Sequence, residues 1–170
     1  MDKTLETIVQ DLQTKFDANY EEFRGEAHVF VQPVQIVEVL TYLRDALEFS
    51  LLSALTAVDY WPQEEPRFHV IYQLTSVTKN LSIQVRVPVP ATNPVVPTVS
   101  AVFSSANWRE REAWDMFGIQ FEGHPDMRRI LMPADWEGHP LRKDYPLGYE
   151  EPQFTFNFDE IDLRKPRAKE

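Results

Sequence analysis

Most of the side chains that could do chemistry lie in one stretch, residues 107–146 of the 170-residue chain. Carboxylates and cations alternate along its first part, and two Glu-Gly-His-Pro repeats follow, each trailed by a basic pair. Neighbouring carboxylates could supply the general acid and base of a hydrolase. The candidate acids are Glu110, Glu112, Asp115, Glu122 and Asp126. Helix capping and ion pairing explain the alternating signs better. The candidate partners for the ion pairs are Arg109, Arg111, Arg128 and Arg129.

The histidines of the two repeats, His124 and His139, are candidate metal ligands. No third ligand lies at a diagnostic spacing, and the flanking glycines and prolines are typical of turns. Roles in turns and packing are therefore the favoured interpretation, and no catalytic, metal or cofactor-binding residue is expected in this chain. The sequence has no cysteine, no Gly-x-Ser-x-Gly and no dinucleotide fingerprint, so it offers no visible place for NADH, flavin or a cysteine-ligated cluster.

Several motifs of this stretch together resemble a known family signature. They are Glu110-Arg111-Glu112, Asp115-Met116-Phe117-Gly118, His124, and Arg128-Arg129-Ile130-Leu131. This pattern resembles the 30 kDa subunit family of the proton-pumping NADH:quinone oxidoreductase, respiratory complex I. The run from Pro140 to Pro146 resembles the continuation of the same pattern. The resemblance is specific over roughly residues 107–147, with Met127 and Ala134 as small departures.

The resemblance implies a non-catalytic subunit of the peripheral arm of complex I. In that complex, FMN and iron–sulfur clusters of other subunits carry electrons from NADH to quinone, and the transfer is coupled to proton translocation. The implied role is structural and in assembly, beside the quinone-site subunit and neighbouring iron–sulfur subunits. Contact with the cell membrane would be indirect, on its cytoplasmic side. A stand-alone acid/base hydrolase and a free adaptor domain are the alternatives.

The same stretch is rich in tryptophan, tyrosine and arginine, the residue types in which protein interfaces are enriched. The resemblance assigns it to partner contact, whereas a flap folded on its own domain is the alternative. Farther on, three phenylalanines alternate with polar residues, and an extended chain would place their rings on one side as an anchor. The predicted interface residues are Glu110, Arg111, Glu112, Asp115, His124, Arg128, Arg129, Trp136, His139, Arg142, Lys143, Asp144, Tyr145, Phe154, Phe156 and Phe158.

We expect a more specific role for two of these residues. Arg128 and Arg129 follow a proline turn and directly precede the apolar Ile130-Leu131-Met132 run. The sequence thus places two cations next to an apolar surface whose burial would be favourable. We expect both arginines to serve assembly more than folding.

A helix must position the charged motif. We expect it to begin at Asn107 as N-cap, with Glu110 completing a capping box, and to end at Gly118. Glu110 shares one face with Trp114 and Phe117, and that face can dock on the rest of the domain. The other face can be buried only if something pairs with its charges, which belong to Arg111, Glu112 and Asp115.

The remaining sequence predicts the scaffold. Apolar residues at helical spacing indicate helices over about 3–17 and from Pro33 to Leu47. Alternation and turn residues indicate strands near 20–24, 27–31, 51–60, 67–76 and 81–89, followed by a proline-rich connector over 88–97. The fold class expected is α+β, a two-layer domain with helices on one face of a mostly antiparallel mixed sheet, plus an extended C-terminal segment.

We expect residues 1–121 to fold as this domain without the rest of the chain. Residues 122–170 would form the extended partner-binding segment and a tail, because four prolines between 125 and 146 prevent a long helix or a central strand there.

Composition and charge argue against several classes of protein. The formal net charge of −10 argues against nucleic-acid binding, which needs clustered positive charge. No run of ~18 apolar residues is present, so we expect no membrane span. Residues 1–20 are amphipathic and acidic, unlike a secretory signal.

Overall fold

The structure is a computed structural model that describes residues 2–146. Its first helix, α1, covers Lys3–Phe16 and buries one stripe of apolar side chains. The carboxylate of Asp2 caps its first turn by accepting a hydrogen bond from the Thr4 amide at 2.7 Å. Asp17 ends the helix in the left-handed conformation.

Five strands form the main sheet. They are β1 (Asn19–Phe23), β2 (Glu26–Phe30), β3 (Leu51–Asp59), β4 (Phe68–Ser76) and β5 (Leu81–Val89). Their spatial order is β1-β2-β5-β4-β3, and every neighbouring pair is antiparallel except β2 with β5. In β4 and β5 every second residue is buried, so only one face of these strands lies in the core.

The second helix, α2, covers Ile36–Asp45 and follows a 3₁₀ turn at Pro33–Gln35. Its buried side chains belong to the same apolar core as those of α1 and the inward residues of the sheet. This arrangement confirms the predicted α+β fold of helices packed on a mixed, mostly antiparallel sheet. The predicted helices and strands of this domain all form, with ends that differ by at most three residues; the largest difference is at α2, which begins at Ile36 and not at Pro33.

A second, two-stranded sheet was missing from the sequence prediction. The short strand β6 (Val95–Pro97) lies in the stretch predicted as a connector, and it pairs in parallel with β7 (Gln120–Glu122). Helix α3 (Ala106–Phe117) joins the two strands. The pairing places Val96 opposite Phe121, and both side chains are buried. The predicted domain boundary after residue 121 therefore falls inside β7, and the independent folding of residues 1–121 stays a prediction.

Residues 123–146 contain turns and bends but no helix or strand, as their prolines predict. They run back over α3 instead of leaving the domain. None of the helices within residues 2–146 combines the length and the hydrophobicity that a membrane span requires.

Candidate partner-binding surface

The C-terminal end of α3 is the point against which the following loop packs. Gly118 ends the helix with φ 74°, in the left-handed region, and its amide donates to the Trp114 carbonyl. A Cβ at this glycine would overlap the side chains of His139 and Arg142. The predicted helix end is therefore confirmed, and it also makes room for the loop.

Helix ends leave carbonyl groups without partners inside the helix. Here the loop supplies donors for them. Arg142 donates from Nε to the Phe117 carbonyl at 2.6 Å, and the Leu141 amide donates to the Met116 carbonyl at 3.0 Å. Burial lowers the pKa of Arg142. Arg142, predicted to contact a partner, is thus used within the chain.

Asp115, in the last turn of α3, fixes the loop on the helix. Its buried carboxylate accepts the amides of Ile130, Leu131 and Met132 at 2.8–3.0 Å. It also accepts from Nη1 of Arg129 at 2.6 Å. Burial alone would raise the pKa of Asp115, but these hydrogen bonds outweigh it and the pKa is lowered. A residue of the charged helix face is therefore buried because the chain itself supplies its partners.

Arg129 joins the loop to α3 and to itself. Besides Asp115, it donates from Nη2 to the carbonyls of Trp136 and Gly138, at 2.7 and 3.1 Å. Its side chain is only 13% exposed. His139 adds a hydrogen bond from Nδ1 to the Asp115 carbonyl at 3.0 Å. Arg129 thus helps to hold the loop on its own domain, and the expectation that it serves assembly more than folding stays a prediction.

Glu110 does not form the predicted capping box. Helix α3 begins at Ala106, and its N-cap, Ser105, makes no side-chain capping bond. The Glu110 carboxylate points into the core, where it is fully buried and accepts from the Val99 amide at 2.7 Å and Thr98 Oγ1 at 2.5 Å. The prediction of a capping box was wrong because the same spacing also places Glu110 on the apolar face. Burial raises the pKa of this carboxyl.

His124 closes the space beside Glu110. Its side chain is fully buried, and its Nδ1 accepts the Asp126 amide at 3.1 Å. The other ring nitrogen, Nε2, therefore carries the proton of the neutral ring and donates to the Asn107 carbonyl at 3.1 Å. Nε2 lies 3.9 Å from the Glu110 carboxylate. Both nitrogens of His124 are used inside the chain, in keeping with a role in packing.

Sequence reasoning missed a partly buried ionic cluster at the edge of the sheet, in which Arg67 and Asp59 are buried and Asp144 is exposed. Arg67, at the start of β4, donates to both carboxylate oxygens of Asp59, at the end of β3, at 2.9 Å. It also pairs with Asp144 at 2.7 and 3.0 Å. The Lys143 amide donates to Asp59 at 2.9 Å. An aspartate at the end of one strand and an arginine at the start of the next could have indicated the Asp59–Arg67 pair. Asp144, however, lies 77 residues from Arg67 in the sequence.

The electrostatics of this cluster are dominated by Asp59. Burial would raise its pKa, but the hydrogen bonds from Arg67 and from the amides of Lys143 and Trp61 lower it to about 2. Hydrogen bonds from Arg67 also lower the pKa of Asp144. The cluster therefore ties the end of the loop to the sheet with charge-assisted bonds.

Three arginines, one tryptophan and two smaller apolar side chains line a groove between α3 and the loop, which we call the arginine groove. Its volume is about 460 Å³, and its lining residues are Arg111, Trp114, Arg128, Arg129, Met132 and Ala134. Arg128 is the exposed member, with 75% of its side chain accessible and a hydrogen-bonded ion pair to Asp126 at 2.7 Å. The groove brings Arg111, Arg128 and Arg129 of the predicted interface together.

The other predicted interface residues are distributed around this groove or lie outside the described part. Glu112 and the Lys143 side chain are exposed. Trp136 and Tyr145 are half-buried, and the Tyr145 hydroxyl donates to the Glu137 carbonyl at 3.5 Å. Phe154, Phe156 and Phe158 lie outside residues 2–146. The assignment of this whole set to a partner interface stays a prediction.

Comparisons with known proteins all point to the same family. The model of the family "Respiratory-chain NADH dehydrogenase, 30 Kd subunit" matches residues 29–151. The C subunit of the NADH-quinone oxidoreductase of Roseiflexus sp. (strain RS-1) is 54% identical over 151 residues, which cover 88% of this chain and 86% of the relative. That of Geobacter metallireducens is 48% identical over 139 residues, covering 80% and 86%.

Two solved structures share the fold. A trypsin-resistant fragment of Nqo5 superimposes with a TM-score of 0.65 at 34% identity, covering 72% of this chain and 98% of the fragment. A chain of the membrane-bound sulfane sulfur reductase, an archaeal respiratory membrane complex, gives 0.71 at 27% identity, covering 84% and 85%. Because the family model and the relatives align over most of its length, the chain belongs to the family of the 30 kDa subunit of respiratory-chain NADH dehydrogenase.

Proposed function

We propose that this chain is a non-catalytic subunit of the peripheral arm of a complex I-type NADH:quinone oxidoreductase. In such a complex, FMN and iron–sulfur clusters in other subunits carry electrons from NADH to quinone, and this transfer drives proton translocation. Membership of the 30 kDa family and relatives named as the C subunit of NADH-quinone oxidoreductase support the proposal. We place the chain on the cytoplasmic side of the cell membrane, in contact with the bilayer only through the complex.

The hydrogen bonding of Asp115 is the observation that best supports a structural role. A general acid or base must exchange a proton with a substrate, but this carboxylate is buried and accepts four hydrogen bonds from the loop and Arg129. Glu110 is likewise buried and holds the Thr98–Val99 turn. Two of the acids that suggested a hydrolase, Asp115 and Glu110, thus serve to shape the segment. Within residues 2–146, no three His, Cys, Asp or Glu side chains are grouped to hold a metal ion.

The role beside the quinone-site subunit rests on the outer side of the same segment. Large apolar side chains that folding normally covers remain accessible here, at Trp108 (61%), Leu131 (62%) and Leu141 (54%). They lie among the arginines and the half-buried Trp136, a composition typical of interfaces. Holding neighbouring subunits in register is a sufficient task, because electron transfer and quinone chemistry tolerate little displacement of their centres.

Isolation of the tagged chain from native membranes tests this function. We expect it to co-purify with flavin- and cluster-containing subunits, and we expect deletion of the chain to abolish membrane NADH:quinone reductase activity. The chain produced alone should be colourless and free of stoichiometric iron. A tagged chain recovered without other subunits, or a chromophore bound to the isolated chain, would contradict the proposal.

A further inference from the structure

Arg111 is a buried cation that lacks a counter-ion among residues 2–146. The residue is 8% exposed, and among the described residues its guanidinium donates only to the carbonyls of Arg128 and Arg129, at 3.0 and 3.2 Å. It also lies over the ring of Trp108. In the part of the chain that the structure describes, no carboxylate oxygen lies within 4.0 Å of its nitrogens. Burial of an uncompensated charge is costly, so a carboxylate that reaches Arg111 from elsewhere would be favoured.

The other two arginines of the groove are already compensated. Arg129 is neutralised by the buried carboxylate of Asp115. Arg128 pairs with Asp126, and this hydrogen bond is the main cause of the lowered pKa of Asp126. The charge of Arg111 also lowers the pKa of Asp126, although the two side chains form no salt bridge. Asp126 is hydrogen-bonded to Arg128 instead, and the three arginines and two carboxylates leave the arginine groove with one excess positive charge.

The shape and lining of the groove define what could fill it. Its volume of about 460 Å³ equals roughly 15 water molecules at ~30 Å³ each, more than a bound ion needs. Trp114, Met132 and Ala134 give it apolar walls. Outside it lie the accessible rings and methyl groups of Trp108 and Leu131. A ligand that matches this site has one negative charge and apolar groups on both sides of it.

We propose that the arginine groove receives one aspartate or glutamate side chain from an apolar segment of a neighbouring subunit. Arg128 and Arg111 would bind the carboxylate, and Trp114 and Met132 would contact the apolar residues beside it. This inference rests on the proposed function, since it names the chemistry of the partner at the proposed interface. A single protein carboxylate suits the single excess charge better than a doubly charged phosphate does.

Cross-linking in the assembled complex tests the contact directly. Arg128→Lys keeps the positive charge and introduces an amine that a zero-length carbodiimide can join to a touching carboxylate. We expect a new cross-link from position 128 to one Asp or Glu of another subunit, identified by mass spectrometry. Arg24→Lys, at an exposed turn between β1 and β2, is the matched control and should give no such link. Links only to Asp126 or to residues 147–170, or no new link, would overturn the proposal.

Charge reversal measures the contribution of the contact. Arg128→Glu should lower the amount of chain incorporated into the complex by roughly 30-fold or more, because the partner carboxylate would meet a like charge. The melting temperature of the isolated chain should hardly change, since this side chain is exposed and, within the part of the chain that the structure describes, bonds only Asp126. Arg24→Glu changes the net charge equally and should assemble normally. An arginine in place of the cross-linked carboxylate should restore assembly of the Arg128→Glu chain.

The outcomes separate the two levels of the proposal. If the wild-type chain does not co-purify with other subunits, the proposed function fails. If it does, and Arg128→Glu assembles as well as wild type, only the groove assignment fails. Binding of the isolated wild-type chain to phosphatidylglycerol vesicles, lost in Arg128→Glu, would assign the groove to a lipid headgroup and overturn a protein partner.

Discussion

Two carboxylates on the same helix, five positions apart, have opposite electrostatic character. Asp115 is surrounded by amides and an arginine, which lower its pKa despite burial. Within residues 2–146, Glu110 has only Thr98 and Val99 as donors, so burial dominates and raises its pKa. Desolvation acts on both, and the number of donors decides its outcome. The difference makes Asp115 an anchor for the loop and Glu110 a residue whose neutral form fits its site better.

Replacement of Glu110 tests this difference. The raised pKa means that its contribution to the free energy of unfolding is fully present below the unfolded pKa and is lost as pH rises through the folded pKa. Glu110→Gln stays neutral and can accept from the Val99 amide while donating to Thr98 Oγ1. We therefore expect Glu110→Gln to melt higher than wild type at pH 8 and similarly at pH 4.

Thermal unfolding followed by circular dichroism at both pH values is the measurement. Glu110→Ala is the control, since it loses both hydrogen bonds and leaves a cavity. It should destabilise the fold by roughly 2–4 kcal/mol at pH 4 and by less at pH 8, where part of the wild-type contribution is lost. A Gln variant that melts lower than wild type at pH 8 would show that the ionised carboxylate is the form that fits.

Acid should weaken the ionic cluster at Asp59. Its folded pKa of about 2 lies below the unfolded value near 3.8, so its stabilisation is present above pH ~4 and is lost as pH falls towards 2. This shift corresponds to about 2–3 kcal/mol, and Asp115 adds a loss in the same direction. Urea unfolding at pH 5 and pH 2.5 should reveal it. Asp59→Asn should be less stable than wild type at pH 5, with the difference shrinking at pH 2.5; a constant difference would contradict this assignment.

At the scale of elements, the junction between α3 and the loop can be tested with two glycines. Gly118 and Gly25 both have positive φ, 74° and 84°, so alanine costs backbone strain at either position. A Cβ at Gly25 would meet nothing within 4 Å, whereas one at Gly118 would overlap His139 and Arg142. We expect Gly25→Ala to cost about 1–2 kcal/mol and Gly118→Ala clearly more. Equal losses in denaturant unfolding would mean that the loop does not pack closely on the helix end.

The elements themselves were largely predictable, because each long one has a strong period. The stripe of α1 and the alternation in β4 and β5 mark their buried faces directly. The two-stranded sheet was not predicted because β6 has only three residues, the last of them a proline, which are too few to show a period. Its strand character comes from pairing with β7, which lies 25 positions farther along the chain.

The partners within the candidate site were less predictable than its location. The unusual composition of residues 107–146 located the candidate site. The charges on one face of α3 also led to the correct expectation that burial of this face needs partners for them. Sequence could not say which cation would reach Asp115 or that Arg67 would reach Asp144, since both pairings depend on the path of a loop without regular structure. Local spacing also misled at Glu110, where a capping pattern coincides with a position on the buried stripe.

At the scale of the whole molecule, the apolar core ends before the loop begins. Among residues 2–146, every fully buried apolar side chain lies between Leu5 and Phe121, whereas Met127 and Met132 only pack against that core. A chain that ends after Gly123 keeps β7 and this core, but loses the donors to Asp115 and the cover over Glu110. We expect it to unfold cooperatively at a lower temperature than the full chain.

Scanning calorimetry of the two chains provides the comparison. A calorimetric enthalpy of the truncated chain that equals its van't Hoff enthalpy would support a separate folding unit. A broad transition, with dye binding to exposed apolar surface, would show that the loop is part of the core.

The three amides that converge on Asp115 have a further consequence for assembly. A loop without helix or strand ordinarily loses conformational entropy when a partner binds it, about 1–2 kcal/mol for each residue that becomes fixed. Here residues 130–132 are already fixed by a carboxylate of their own domain. Docking therefore needs little rearrangement of this backbone, and the association rate can approach that of two rigid surfaces. The newly made protein can thus carry its recognition surface in the final shape before it meets the complex.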